Sequence, residues 1–191
     1  MADGGINFSG MKVIFITGRG IFQLTLTLFP VPANMLLMYP VFPMLSGKAL
    51  DGSSVTLPQD TLGFVTLIAI AFPWNVQGMI DSWTGPLFRD FGGDLQMRVY
   101  EIPMISPVNW LKAKWIERGM RSGIAVDRHP FVIPYYGDRK PYVLALDIDD
   151  PALVHLFLLD RQGNIRWKGS GSLENNTLQG LEDLVRSLFS E

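Results

Sequence analysis

The chain has 191 residues, 48% of them hydrophobic and 18% charged, with a formal net charge of -2. This is enough for one domain with extra segments, and a charge content below the usual ~25% fits either a large core or a surface that a partner or membrane face covers. There is no cysteine, which excludes disulfides, thiol redox chemistry, thiolate metal sites and a cysteine nucleophile. The two histidines, His129 and His155, are too few for a multi-histidine metal site, and the near-neutral charge gives no global basic signal for nucleic acid.

Residues 1–50 carry one acid, Asp3, against Lys12, Arg19 and Lys48. Acid-poor starts of this kind suggest organelle targeting. Ile21 to Met38 is apolar, but Gln23, Pro30, Pro32 and Asn34 interrupt it, and a spanning helix needs about 20 mainly apolar residues. Residues 1–41 therefore read as an extension, an arm lying on a partner or on the domain. Leu45 to Pro58 has turn signals at Ser46-Gly47 and Asp51-Gly52 and reads as a small hairpin. Gly63 to Phe72 is a short apolar run, the pattern of a strand buried on both faces and central in its sheet. Pro73 to Gly78 is the loop at its C-terminal end, where ligands of open α/β sheets bind.

Met79 to Phe91 has Ile80, Trp83, Leu87 and Phe91 at helical spacing, with Gly85-Pro86 as a kink or restart. Gln96 to Pro103 reads as the next strand. Pro107 to Gly123 reads as a helix opened by its proline. It holds the one basic cluster of the chain, Lys112, Lys114, Arg118 and Arg121, with Arg128 following, against Glu117. Such a cluster is either a solvated face or a contact with acidic protein or anionic lipid. His129 to Pro141 reads as a loop, and Tyr142 to Leu146 as a short helix. Asp147, Asp149 and Asp150 lack the glycine and distal glutamate of a calcium loop and read as a charged turn.

Val154 to Leu159 is again a strand buried on both faces. Asp160 to Asn164 turns the chain, Gly163 supplying the positive φ, and Ile165 to Trp167 begins the returning strand. Leu178, Leu181, Leu184, Val185 and Leu188 then recur at helical spacing. No phosphate-binding glycine loop and no G-x-S-x-G elbow is present. Asp147, Asp149, Asp150 and His155 are the one grouping of acids and histidine suited to general acid–base work, and nothing in the spacing places them on a common substrate.

Hairpin, central strand, loop, helix, strand, helix, hairpin and helix follow the order of a thioredoxin-like domain. The chain resembles the mitochondrial assembly-factor family of the F-type ATP synthase. The residues that carry the resemblance are FP.LSGK..DG...TLP (Phe42 to Pro58), VTL....F (Val65 to Phe72) and SW..P....F (Ser82 to Phe91). They continue with VYE (Val99 to Glu101), Met120-Arg121, and FLLD..G.IRW.GSG (Phe157 to Gly171). Val154 and His155 stand where that family has Gly-Tyr, which marks a divergent member.

The resemblance implies a thioredoxin-like or peroxiredoxin-like α/β domain over 42–191, a mixed central sheet flanked by helices. It implies a non-enzymatic, chaperone-like assembly factor, peripheral on the matrix side of the mitochondrial inner membrane. Its client would be a hydrophobic membrane-complex subunit, subunit a of the ATP synthase or a similar chain, with a further contact to an anionic membrane surface. The alternative is a permanent structural subunit of a large mitochondrial membrane complex. Thioredoxin-like oxidoreductases carry C-x-x-C at the helix start after the central strand, where the first thiol has its pKa lowered. Here that place is Trp74-Asn75-Val76-Gln77, and Val154 stands where those enzymes put a cis-proline. No catalytic residue, cofactor or metal is therefore expected. The candidate partner contacts are Trp74, Asn75, Gln77, Trp83 and Trp110, with Lys112, Lys114, Arg118 and Arg121 facing an anionic surface.

Overall fold

The computed structural model describes residues 13–17, 20–24 and 40–191. The chain divides into two units, Met1–Met38 and Tyr39–Glu191. In the first, β1 (Val13–Thr17) pairs antiparallel with β2 (Gly20–Leu24). The rest of the arm, including most of the apolar stretch Ile21 to Met38, lies outside the described residues. Among the described residues no helix is long and apolar enough to cross a membrane.

The second unit is built on β5 (Val65–Ala71), in which every residue is buried. Its Val-Thr-Leu-Ile-Ala-Ile-Ala run is rich in β-branched residues that pack well on a pleated surface. It lies between β6 (Met97–Pro103), parallel to it, and β7 (Val154–Leu159), antiparallel. β8 (Ile165–Ser170) completes the order β6-β5-β7-β8. Side chains alternate across a strand, so β5 feeds two cores. Val65, Leu67 and Ala69 face α1 (Gln77–Phe91) and α4 (Asn175–Leu188). Ile68 and Ile70 face the hairpin of β3 (Leu45–Lys48) and β4 (Ser54–Leu57), with Ile133, Leu146 and Ile148.

The expected helices and strands fall close to their sequence positions, with three differences. Ser46-Gly47 is not a turn but part of β3; a Cβ on Gly47 would come 2.6 Å from the Ile133 Cγ2, so glycine serves close packing there. The turn is at Asp51, whose carboxylate accepts from the Ser53 N–H and hydroxyl. α1 runs through Pro86 without restarting, because Ile80, Trp83, Leu87 and Phe91 form one buried stripe on both sides of it. Pro107 to Gly123 is a 3-10 turn, Pro107–Lys112, followed by α2 (Ala113–Gly123). A second 3-10 segment, Val126–Phe131, and the short α3 (Lys140–Ala145) follow. Between them Val132 and Tyr135 bridge to Glu101 and Met104 and cover the outer edge of β6 at its C-terminal end.

Candidate functional site

α1 and α2 differ in how they meet the body of the domain. α1 buries Ile80, Trp83, Thr84, Leu87 and Phe91, whereas α2 buries no residue. Polar contacts tether α2 instead. The Arg121 Nε donates to the Leu50 carbonyl at 2.6 Å, and Arg121 also pairs with Glu117 at 3.2 Å. The Tyr136 hydroxyl donates to the Ala113 carbonyl at 3.4 Å. Burial, then the charge of Glu117, pushes that phenol up to about 12, so it stays a donor throughout the neutral range. Just past the helix the buried His129 ring bonds the Ile124 carbonyl at 3.0 Å.

The space left between the two helices is a groove of about 800 Å³. Trp74 and Gln77, at the C-terminal end of β5, form one wall with Asp81. Ile116, Met120 and Ile124 form the apolar opposite wall, with Trp115 and Lys112 at its rim. Trp74 is 63% and Trp115 77% exposed. Isolated exposed side chains are ordinary, but two indoles flanking one apolar groove make a contact surface.

The floor carries a buried acid. β6 places Met97 and Val99 in the core beneath α1, and Glu101 continues the same parity at 3% exposure. Its carboxylate accepts from the Arg128 guanidinium, which also lies 4.6 Å over the Phe88 ring. Burial raises the Glu101 pKa, and the charge of Asp81 pushes the same way, while Arg128 and a hydrogen bond from Gln77 oppose it. Gln77 also donates to Asp81 at 3.0 Å. The pair thus braces the base of the groove between β6, α1 and the 3-10 segment.

Of the residues singled out in the sequence, Trp74, Gln77 and Lys112 meet at this groove. Asn75 is exposed beside it but is not in its lining. Trp83 is corrected: it is 2% exposed, packs on Trp167 at 5.4 Å and donates its N–H to the Gly171 carbonyl at 2.8 Å. Core packing in the buried stripe of α1 consumes this indole, so it offers nothing to a partner. The Trp110 side chain lies outside the described residues. Lys114 and Arg118 are exposed on α2, and Arg121 is engaged in holding that helix. Asp81, Trp115 and Ile116 are not singled out in the sequence, and Glu101 and Met120 enter there only as motif residues of the resemblance, not as groove residues. The signal available for Glu101 is a charge at the same parity as the apolar Met97 and Val99 in β6.

The Asp147–Asp150 turn is satisfied locally. The Asp149 carboxylate accepts from the Asp150 N–H, and that of Asp150 from the Ala152 N–H. The buried His155 ring bonds the Asp150 carbonyl at 2.8 Å, so it serves the turn. Among the described residues no group of three or more His, Asp or Glu is placed to hold a metal.

No protein-family model matches the chain, and no curated protein matches its sequence. Solved structures do match in fold. A thiol:disulfide interchange protein from Chlorobium tepidum superposes with a TM-score of 0.58 at 13% identity, over 78% of this chain and 96% of that one. A Sco-family cytochrome c oxidase assembly protein gives a TM-score of 0.58 at 15% identity, over 79% and 94%. A thiol-disulfide oxidoreductase domain from Bacteroides vulgatus gives 0.53 at 21% identity, over 78% and 99%. The chain has an α/β thioredoxin-like fold, a mixed central sheet flanked by helices, with extra N-terminal strands. It has no cysteine at all, so the thiol redox motif is absent, and its groove opens beside the loop where that motif would stand.

Proposed function

We propose that this protein is a non-enzymatic, chaperone-like assembly factor for a mitochondrial inner-membrane complex, with the membrane sector of the F-type ATP synthase as the first candidate. The observation that carries the reading is the groove. It opens next to the loop where thioredoxin-like oxidoreductases do thiol chemistry, yet it offers no thiol; it offers an apolar wall between two exposed indoles. A surface of this kind suits an apolar segment of a client polypeptide, with the client's side chains against Ile116, Met120 and Ile124. The motif run from Phe42 to Gly171 supports the particular family. A precedent for assembly work on this fold is the Sco-family protein, whose likeness to this chain is of fold alone. On this reading the protein is peripheral, on the matrix side of the membrane, and its client is subunit a or a chain of similar character.

The test is native-gel fractionation of the tagged full-length protein from its own membranes, with mass spectrometry of the bands. Substoichiometric co-migration with subunit a or with ATP synthase intermediates is the expected result. Constant stoichiometry in one mature complex would make the chain a permanent structural subunit, and migration as a lone small species would overturn both.

A further inference from the structure

We propose that the outer face of α2, with Leu111 and Lys112 at the end of the 3-10 turn before it, is a docking surface for an anionic lipid bilayer. It goes beyond the client reading, since it needs no client and adds Leu111, Lys114 and Arg118, which lie outside the groove lining, to the rim residues Lys112 and Trp115. The first observation is charge. Lys112, Lys114 and Arg118 are exposed on this element and pair with no carboxylate among the described residues. Its one acid, Glu117, is taken by Arg121. The protein as a whole carries a net charge of -2, so this is a local segregation of positive charge on an acidic molecule.

The second observation separates a lipid partner from an acidic protein surface. Leu111 is 78% exposed, as Trp115 nearly is, and both stand among the three cations. An apolar side chain and an indole within a basic rim match the headgroup–acyl boundary, where amphipathic helices insert their apolar groups and spread lysines and arginines over anionic headgroups. Free phosphate or an acidic peptide would use the cations and leave Leu111 and Trp115 in water. The third observation is that α2 buries nothing in the core, so lying on a bilayer withdraws no side chain from the domain. Lys112 and Trp115 also form the groove rim, so docking by this face brings the groove mouth to the headgroup level.

The test is co-sedimentation of the full-length protein with vesicles of phosphatidylcholine alone and of an equimolar mixture with phosphatidylglycerol, at low and high salt. The expected result is binding to the mixed vesicles only, weakened by salt. Each basic group near an anionic surface contributes roughly five-fold, so Lys112→Gln/Lys114→Gln/Arg118→Gln binds about a hundred-fold more weakly. Trp115→Ala reduces binding by about ten-fold or more by losing the inserted indole. All of these side chains are exposed, and unchanged thermal unfolding confirms that each variant folds. No binding to the mixed vesicles overturns the proposal. So does binding that Trp115→Ala leaves intact, and so does poly-glutamate binding as tightly as the mixed vesicles, which assigns the face to an acidic protein. Vesicle binding without any client, or client capture without vesicle binding, keeps this inference and the assembly reading separable.

Discussion

α1 and α2 flank the same groove, but one is held by burial and the other by hydrogen bonds. α1 sets five side chains in the core beneath the sheet, with Trp83 locked between Trp167 and the Gly171 carbonyl. α2 is carried by Arg121, Tyr136 and the segment around His129, and keeps its apolar residues at a groove rather than in a core. Hydrophobic burial dominates stability, whereas hydrogen bonds contribute modestly and fix geometry. The difference therefore divides the molecule into a scaffold, which needs α1, and a half-attached element, α2, on which the proposed client contact rests. It also explains why Trp83 is 2% exposed and Trp115 77% exposed, although both lie on helices that flank the groove.

The comparison can be broken most sharply at those tryptophans. Trp83→Ala removes a buried indole, its ring contact and its hydrogen bond, and should cost about 3–5 kcal/mol in chemical denaturation. Trp115→Ala should stay within about 0.5 kcal/mol of the parent; a loss as large as that of Trp83→Ala would place α2 in the scaffold after all. Next in size is Arg121→Ala. It frees the Leu50 carbonyl and should cost about 1 kcal/mol. Its distinctive sign is local: amide exchange in α2 should quicken while exchange in β5 and α1 holds, as expected of a sub-global opening.

The pH dependence of the groove floor sharpens the comparison further. The Glu101 pKa is raised chiefly by burial. A carboxyl with a raised folded-state pKa binds its proton more tightly in the fold than in the unfolded chain. Its stabilising contribution is complete below the ordinary carboxylate range and is lost as pH rises through the raised value. Glu101→Gln keeps an acceptor for Arg128 and cannot ionise. Urea titrations across that range should therefore show the stability of the parent falling with pH relative to the variant. An opposite sign, with Glu101→Gln losing ground as pH rises, would mean that the Arg128 pair outweighs burial.

Much of this architecture is legible in the sequence because burial writes a period into it. The runs around β5 and β7 are apolar on both faces and are central strands, and the Ile80, Trp83, Leu87, Phe91 spacing is the buried stripe of α1. The site is legible only in part. Trp74, Gln77 and Lys112 were picked out by their place after the central strand or in the basic cluster, and they meet at the groove. Trp83 was misplaced because an indole in a stripe of core residues looks the same whether it faces in or out. Trp115 and the groove-facing role of Met120 are not legible because both lie on a helix with no core-facing residue to set its rotation. Glu101 needed the parity of β6 and the position of Arg128, which is 27 residues away in the chain.

The central claim is that the groove between α1 and α2 holds a client segment. The most direct test is to place a photo-crosslinking amino acid at Met120, on the apolar wall, and at Gln162, exposed in the β7–β8 turn, in the tagged full-length protein. The account predicts that the Met120 probe captures an apolar segment of a membrane-sector subunit in native membranes and that the Gln162 probe does not. Equal capture from both positions, or none from Met120 while the protein still co-migrates with assembly intermediates, would contradict it.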